Sequence, residues 1–236
     1  PFVIKPNTEE LSQLVGKNDL KGTTVYATQL MAITFFVSLL LTLVGYLGTP
    51  LIVRLMGATD GLAHLAIIYL KITFLDLPFM FLYFNINSIL HAQGDTITPM
   101  ILSGASAILN VVLDPIFIFT LNWGLVGAAW ATVFSRGLLA VVGFLILFGD
   151  KNKIKPVFKG FKFDPKILKE IVQVGLPSSI GQSGASLGFI VLNGFIASYG
   201  TATLAAYAMV NRITSLVMQP AMGMGQALTT IVGQNI

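Results

Sequence analysis

Long apolar runs alternate with short polar breaks along the chain. Six runs stand out, at about 24–48, 62–91, 97–120, 124–148, 168–199 and 202–232. Each can cross a bilayer, because ~20 helical residues at ~1.5 Å apiece span the ~30 Å hydrocarbon core. Membrane strands need only ~9–11 residues, so these lengths predict helices. Residues 1–22 are polar and read as a loop or a helix end. The break at 149–165 is the longest hydrophilic interruption and marks a boundary between two bundles. It closes with Asp164-Pro165, an N-cap followed by proline at the first helical position. Within the break His91–Met100, Asp95 or Thr96 is placed to cap the next helix, with Pro99 in its first turn.

Composition sharpens this picture. The 236 residues are 55% hydrophobic and 10% charged, against roughly 25% charge in soluble domains. The fold class is an all-α, multi-pass membrane protein with six transmembrane helices. Charge placement orients it. Lys5, Lys17, Lys21 and seven lysines within 149–169 fall on one side of the six crossings, and Arg54 alone falls on the other. By the positive-inside rule the lysine side is cytoplasmic. The lysines sit beside spans, not in a basic surface with exposed aromatics, so nucleic acid is not expected as a partner. Cysteine is absent, which removes disulfides and thiolate chemistry.

The candidate chemistry centres on Asn110-Val-Val-Leu-Asp114-Pro115, inside the third run. A carboxylate at that depth costs several kcal/mol unless it is neutral, paired or wet (on the order of 2–4 by insertion scales). Asn110 and Asp114 are four apart and share a helix face, and Ser103 extends the stripe. Pro115 has no N–H for the carbonyl four residues back. An acid, an amide oxygen and a spare carbonyl suit a small hard cation or a proton. The short turn at 121–123 makes the third and fourth runs antiparallel neighbours. Gly127, Ala128, Ala129 and Ala131 allow close approach, so Thr132 is expected to face Asp114, and Asn87 is expected to join one pocket with them.

Other charged groups read as structural. Lys71 and Asp76 are expected to pair, and Arg136 and Arg212 to pair with acids or line a wet cavity. His64 and His91 are isolated, and no Ser–His–acid set shares a membrane layer, so the chain does not read as an enzyme. Leu11–Asn18 and Leu228–Asn235 share leucine, valine, glycine and asparagine at an offset of 217, a short internal repeat of the kind transporters carry.

Gln93-Gly-Asp-Thr-Ile-Thr-Pro-Met100, Leu109–Phe119, Gly124–Thr132, Gly175-Leu-Pro177 and Ser12–Asp19 resemble the multidrug and toxin extrusion (MATE) transporters. The resemblance covers nearly the whole chain from Ser12. It implies a two-lobe, twelve-helix transporter of which this chain spans about the third to eighth helices. Residues 1–148 would hold the end of the second helix and the third to sixth helices of the N-terminal lobe. Residues 149–165 would be the cytoplasmic inter-lobe linker, and 166–236 the seventh and eighth helices. It also implies a multi-pass protein of the cell (cytoplasmic) membrane, monomeric at full length, with no cofactor. Its activity would be export of amphipathic, cationic drugs or toxins in exchange for Na+ or H+.

In the family's DinF-like branch the coupling ion lies in the N-terminal lobe, at positions matching Asn87, Asn110, Asp114, Ala128 (through its carbonyl) and Thr132. That branch's first-helix aspartate falls before this chain. The NorM-like branch uses a glutamate on the seventh helix, and 175–195 holds no acid. The alternatives are a lipid-linked oligosaccharide flippase of the same superfamily, which needs an arginine-lined cavity, and a non-transporting membrane scaffold.

Overall fold

The structure is a computed structural model and describes residues 5–16, 20–55, 60–149, 152–158 and 161–234. The described residues form helices α1 (Lys5–Gly16), α2 (Leu20–Leu55), α3 (Asp60–Leu75), α4 (Leu77–Ala92), α5 (Ile97–Pro115), α6 (Gly124–Leu147), α7 (Pro165–Ala197) and α8 (Thr201–Gln234). A π-turn, Ile116–Thr120, continues α5. Part of the polar stretch 1–22 is therefore helix, and α1 packs between α4 and α8. As far as they are described, the repeated motifs occupy the last turns of α1 and α8. Gly57-Ala-Thr-Asp60, which reads in the sequence as an outer turn and helix cap, lies largely outside the described residues.

Five of the six expected spans are long and apolar enough to cross a membrane. The sixth, α8, has 34 residues but falls short in apolarity, because Asn211, Arg212, Gln219 and Gln226 interrupt it. One span is broken. α3 and α4 together form the stretch Ala63–Ala92, and the regular ladder lapses at Asp76, whose N–H bonds Thr73 O at 3.2 Å while its backbone stays helical at φ −72° and ψ −23°. Pro78 is the cause, since it can donate no bond to the Phe74 carbonyl. Thr42 Oγ1 of α2 donates to that carbonyl instead, at 3.1 Å. Gly45, one turn further along α2, leaves room for the Phe74 ring.

Inside a membrane the many serine and threonine hydroxyls must find partners in protein. Apart from Thr42, most of the described ones do so on their own helices. Thr34 donates to Leu30 O at 2.7 Å, Thr49 to Gly45 O at 2.7 Å and Ser135 to Ala131 O at 2.7 Å.

α4, α5 and α6 pack on one another, with α3 and α2 completing the group. At the lysine-rich end, Leu30, Ile86, Ile89, Leu90 and Leu147 form a buried cluster with Leu11 of α1, Ile154 of the break and Ile171 of α7. Nearer the other end, Ile72, Ala129 and Val133 pack with Phe79 and Trp130. Phe134, Leu138, Val141 and Leu145 recur at helical spacing on the exposed face of α6, the face suited to lipid.

Both expected caps form. Asp95 Oδ1 accepts from Ile97 N at 3.1 Å and Thr98 N at 3.0 Å. Asp164 Oδ1 accepts from Lys166 N at 2.9 Å.

Candidate functional site

The turn between α5 and α6 sets the register of the polar residues. Asn122 and Gly124 both have φ of 54°, a left-handed conformation that asparagine and glycine tolerate best. Before the turn, the chain widens past Pro115 into the π-turn, and Leu121 N donates to Ile116 O at 2.9 Å. Such turns interrupt helices at functional positions more often than chance. Gly127 lies directly against it: a Cβ there would come within 2.6 Å of Phe117 O. The small residues of α6 thus permit the close approach expected of them.

That approach brings three of the predicted residues together. Asn110 Nδ2 donates to Thr132 Oγ1 at 3.4 Å, and Thr132 Oγ1 donates to the Ala128 carbonyl at 3.1 Å. Asp114 stands one turn beyond Asn110 on α5, and its Oδ1 is buried with no hydrogen-bond partner. An uncompensated carboxylate oxygen in such a place leaves an acceptor for a cation or a proton.

Asn87 lies elsewhere. Phe79 sits against Gly137, and Ile86 against Gly143. This register puts Asn87 level with about Phe144. Thr132 is twelve residues from that level, a rise of ~18 Å. Asn87 therefore belongs to the lysine-rich end, where its Oδ1 is buried and unpartnered. Between the two levels, the Tyr83 hydroxyl meets Ser103 Oγ, joining α4 to α5. The other asparagine of α4, Asn85, is 2% exposed and turns to α2, donating to Thr34 Oγ1 and to Phe81 O.

The expected pairing of Lys71 with Asp76 does not form. Asp76, 4% exposed, takes Arg136 of α6 instead. Lys71 Nζ lies over the Tyr46 ring, 4.7 Å from its centre, where cation–π attraction holds it. Arg136 is four residues beyond Thr132, so Ala128, Thr132 and Arg136 form one stripe on α6. Arg136 thus lies one turn from Thr132 toward the lysine-rich end, and Asp114 one turn from Asn110 the other way. The sequence marked Asp76 and Arg136 as buried charges but not as each other's partners. Arg212 is exposed on α8. No cluster of His, Asp or Glu suited to a resident metal occurs among the described residues.

The fold and this polar group define a multi-pass membrane protein with charged and amide side chains held between its spans. The chain belongs to the MatE family, matching it over residues 10–116 and 177–236. It is 30% identical over 228 residues to the probable multidrug resistance protein YpnP of Bacillus subtilis (strain 168), covering 96% of this chain and 50% of that protein. It is 33% identical over 227 residues to the probable multidrug resistance protein YoeA of the same organism, covering 93% and 49%. Its fold superposes on an outward-facing multidrug resistance MATE family transporter with a TM-score of 0.90 and 29% identity, covering 98% of this chain and 52% of that one. The chain thus spans about half the length of these relatives. It is a multi-pass protein of the cell membrane, and the solved structure on which it superposes is of a transporter.

Proposed function

We propose that this chain supplies part of a secondary antiporter that exports amphipathic, cationic compounds in exchange for Na+ or H+. The observation that carries the reading is the buried, unpartnered Oδ1 of Asp114 beside the Asn110–Thr132–Ala128 chain of hydrogen bonds. The coupling cation is cargo here. Asp114 would supply its charge, Asn110 and Thr132 their oxygens, and Ala128 its carbonyl. Occupancy drives transport only by binding one state of the protein better than another. The disrupted backbone on either side of the site, at Pro78 and at the π-turn, gives two places where packing can change.

The relatives' descriptions as multidrug resistance proteins favour drugs or toxins as the substrate class. The site lies on α5 and α6 and uses no acid of α7, which favours a DinF-like arrangement. A flippase needs free arginines in its cavity, whereas Arg136 is committed to Asp76.

The test is Asp114→Asn in the complete transporter, reconstituted in vesicles with an imposed Na+ or H+ gradient. Coupled efflux is expected to vanish while thermal unfolding in detergent changes little. Unchanged coupled efflux would overturn the reading in favour of a scaffold or an uncoupled protein.

A further inference from the structure

A charged pair in hydrocarbon is costly, and a half-satisfied one more so. Asp76 nevertheless sits 4% exposed at the break between α3 and α4, and gives only one carboxylate oxygen to Arg136. Its other oxygen, Oδ1, is buried and has no hydrogen-bond partner. Simple helix packing does not require this arrangement. Its position relative to the candidate site does give it a use.

Arg136 is a fixed positive charge close to that site. Thr132 and Asn110 are joined, Arg136 is one helical turn to one side and Asp114 one turn to the other. The axial separation of residues 136 and 114 is therefore ~12 Å. At an effective dielectric of ~20, two unit charges at that distance change a binding constant about tenfold. An unpaired Arg136 would repel a cation from Asp114 by that factor. Paired with Asp76, it contributes almost no net field.

We infer that Asp76 is a positioning residue for cation binding: it neutralises Arg136 so that Asp114 remains the uncompensated charge of the site. This rests on the antiporter reading above. The surrounding elements hold no other described charge to take over the task. Lys71 of α3 lies over the Tyr46 ring and keeps its positive charge in every variant, so it acts on all of them alike. Lys21 and Arg54 lie at the two ends of α2, His64 near the start of α3, His91 near the end of α4, and Asp95 before α5.

The prediction has a sign that distinguishes it from a merely structural ion pair. Asp76→Asn leaves Arg136 unpaired, and the half-saturating concentration of the coupling cation rises about tenfold. Arg136→Gln, read at alkaline pH where the unpaired Asp76 is ionised, leaves a second uncompensated carboxylate near the site, and that concentration falls by a similar factor. The double variant Asp76→Asn/Arg136→Gln returns within about threefold of the parent. The measurement is coupled efflux by the complete transporter in vesicles, varying Na+ at fixed pH and pH at fixed Na+.

A purely structural pair lowers stability in both single variants and shifts cation dependence in neither, or in the same direction in both. Either result overturns the inference. So does a double variant no closer to the parent than the worse single. If Asp76→Asn does not fold, Arg136→Gln and the double variant decide, because the expected shift and its reversal are read from those two alone. Loss of coupling in Asp114→Asn together with a failed sign test rejects this inference and leaves the antiporter reading standing. Persistent coupling in Asp114→Asn rejects the antiporter reading itself, and this inference with it.

Discussion

Thr42 of α2 donates its hydroxyl to the carbonyl of Phe74 at 3.1 Å, the carbonyl that Pro78 leaves without its helical donor. The bond crosses between helices at the point where a membrane span is broken. It lets a proline sit in mid-span without stranding a backbone oxygen.

Thr42→Val keeps the shape of the side chain and removes the donor. The expected loss is about 1 kcal/mol of stability, with faster amide exchange in residues 73–77. Thr42→Ser restores the donor and should recover most of the difference. The checks are thermal unfolding in detergent and hydrogen exchange by mass spectrometry. Equal stability of the valine and threonine proteins would mean that the Phe74 carbonyl finds another donor.

The α5–α6 pair depends on one glycine more than on its neighbours. A Cβ at Gly127 would lie 2.6 Å from Phe117 O, a backbone atom that no side-chain rotation can move. Gly127→Ala should cost about 1–3 kcal/mol and weaken the Asn110–Thr132 bond by pushing the helices apart. Gly104 of α5 faces open space, with nothing within 4 Å of an added Cβ. Gly104→Ala should be neutral or slightly stabilising, by up to about 1 kcal/mol. Unfolding midpoints of the two variants, measured side by side in detergent, check the contrast.

Asp95 gives a prediction with a pH sign. Burial pushes its carboxyl upward, but hydrogen bonds from Thr98 and from the Ile97 N–H outweigh this, and its pKa falls below the ordinary value. A depressed pKa means stability that is present above the unfolded value and lost as pH falls through the folded one. Asp95→Ala should therefore cost about 1 kcal/mol at neutral pH, and the difference should disappear in acid below the ordinary carboxylate range (about 4). Amide exchange in residues 97–100, followed from pH 7 downward, measures it. A gap that persists unchanged into strong acid would show that the carboxylate's charge is not what stabilises the cap.

The helices were legible because bilayer thickness fixes their length and composition marks their faces. The two aspartate caps were equally legible, being local. Asn110 and Thr132 were readable from four-residue spacing plus a short turn. Asn87 was misplaced because spacing along one helix says nothing of depth on the next. Counting residues outward from the turn after Ala92 would have shown that Asn87 and Asn110 stand at different depths. The Asp76–Arg136 pair links positions 60 apart. Lys71 was nearer in sequence, and only packing of α4 against α6 decides between them. The break at Asp76 had a local signal in Pro78, hidden within an otherwise continuous apolar run.

The described residues 152–158 of the hydrophilic break are held against the bundle, and Gln93 is central to that. Its Oε1 accepts from Lys153 N at 2.9 Å and from Ile154 N at 3.2 Å. Further along, Val157 N donates to Thr28 Oγ1 at 3.0 Å and Gln29 Nε2 donates to Lys162 O at 2.6 Å. Ile154 is fully buried between them. These bonds tie the strand of chain after α6 to the ends of α4 and α2, so motion of α4 relative to α2 must strain them. Gln93→Leu removes the acceptor for two backbone donors and leaves both unpaired beside Ile154. Trypsin cleavage after Lys153 should then quicken several-fold, as local opening becomes easier by about 1–2 kcal/mol. Gln93→Glu keeps the acceptor oxygen and should protect the segment nearly as well as the parent. Limited proteolysis of membrane vesicles that expose the lysine-rich side reads the result, and equal cleavage of all three proteins would mean that Ile154 alone anchors the segment.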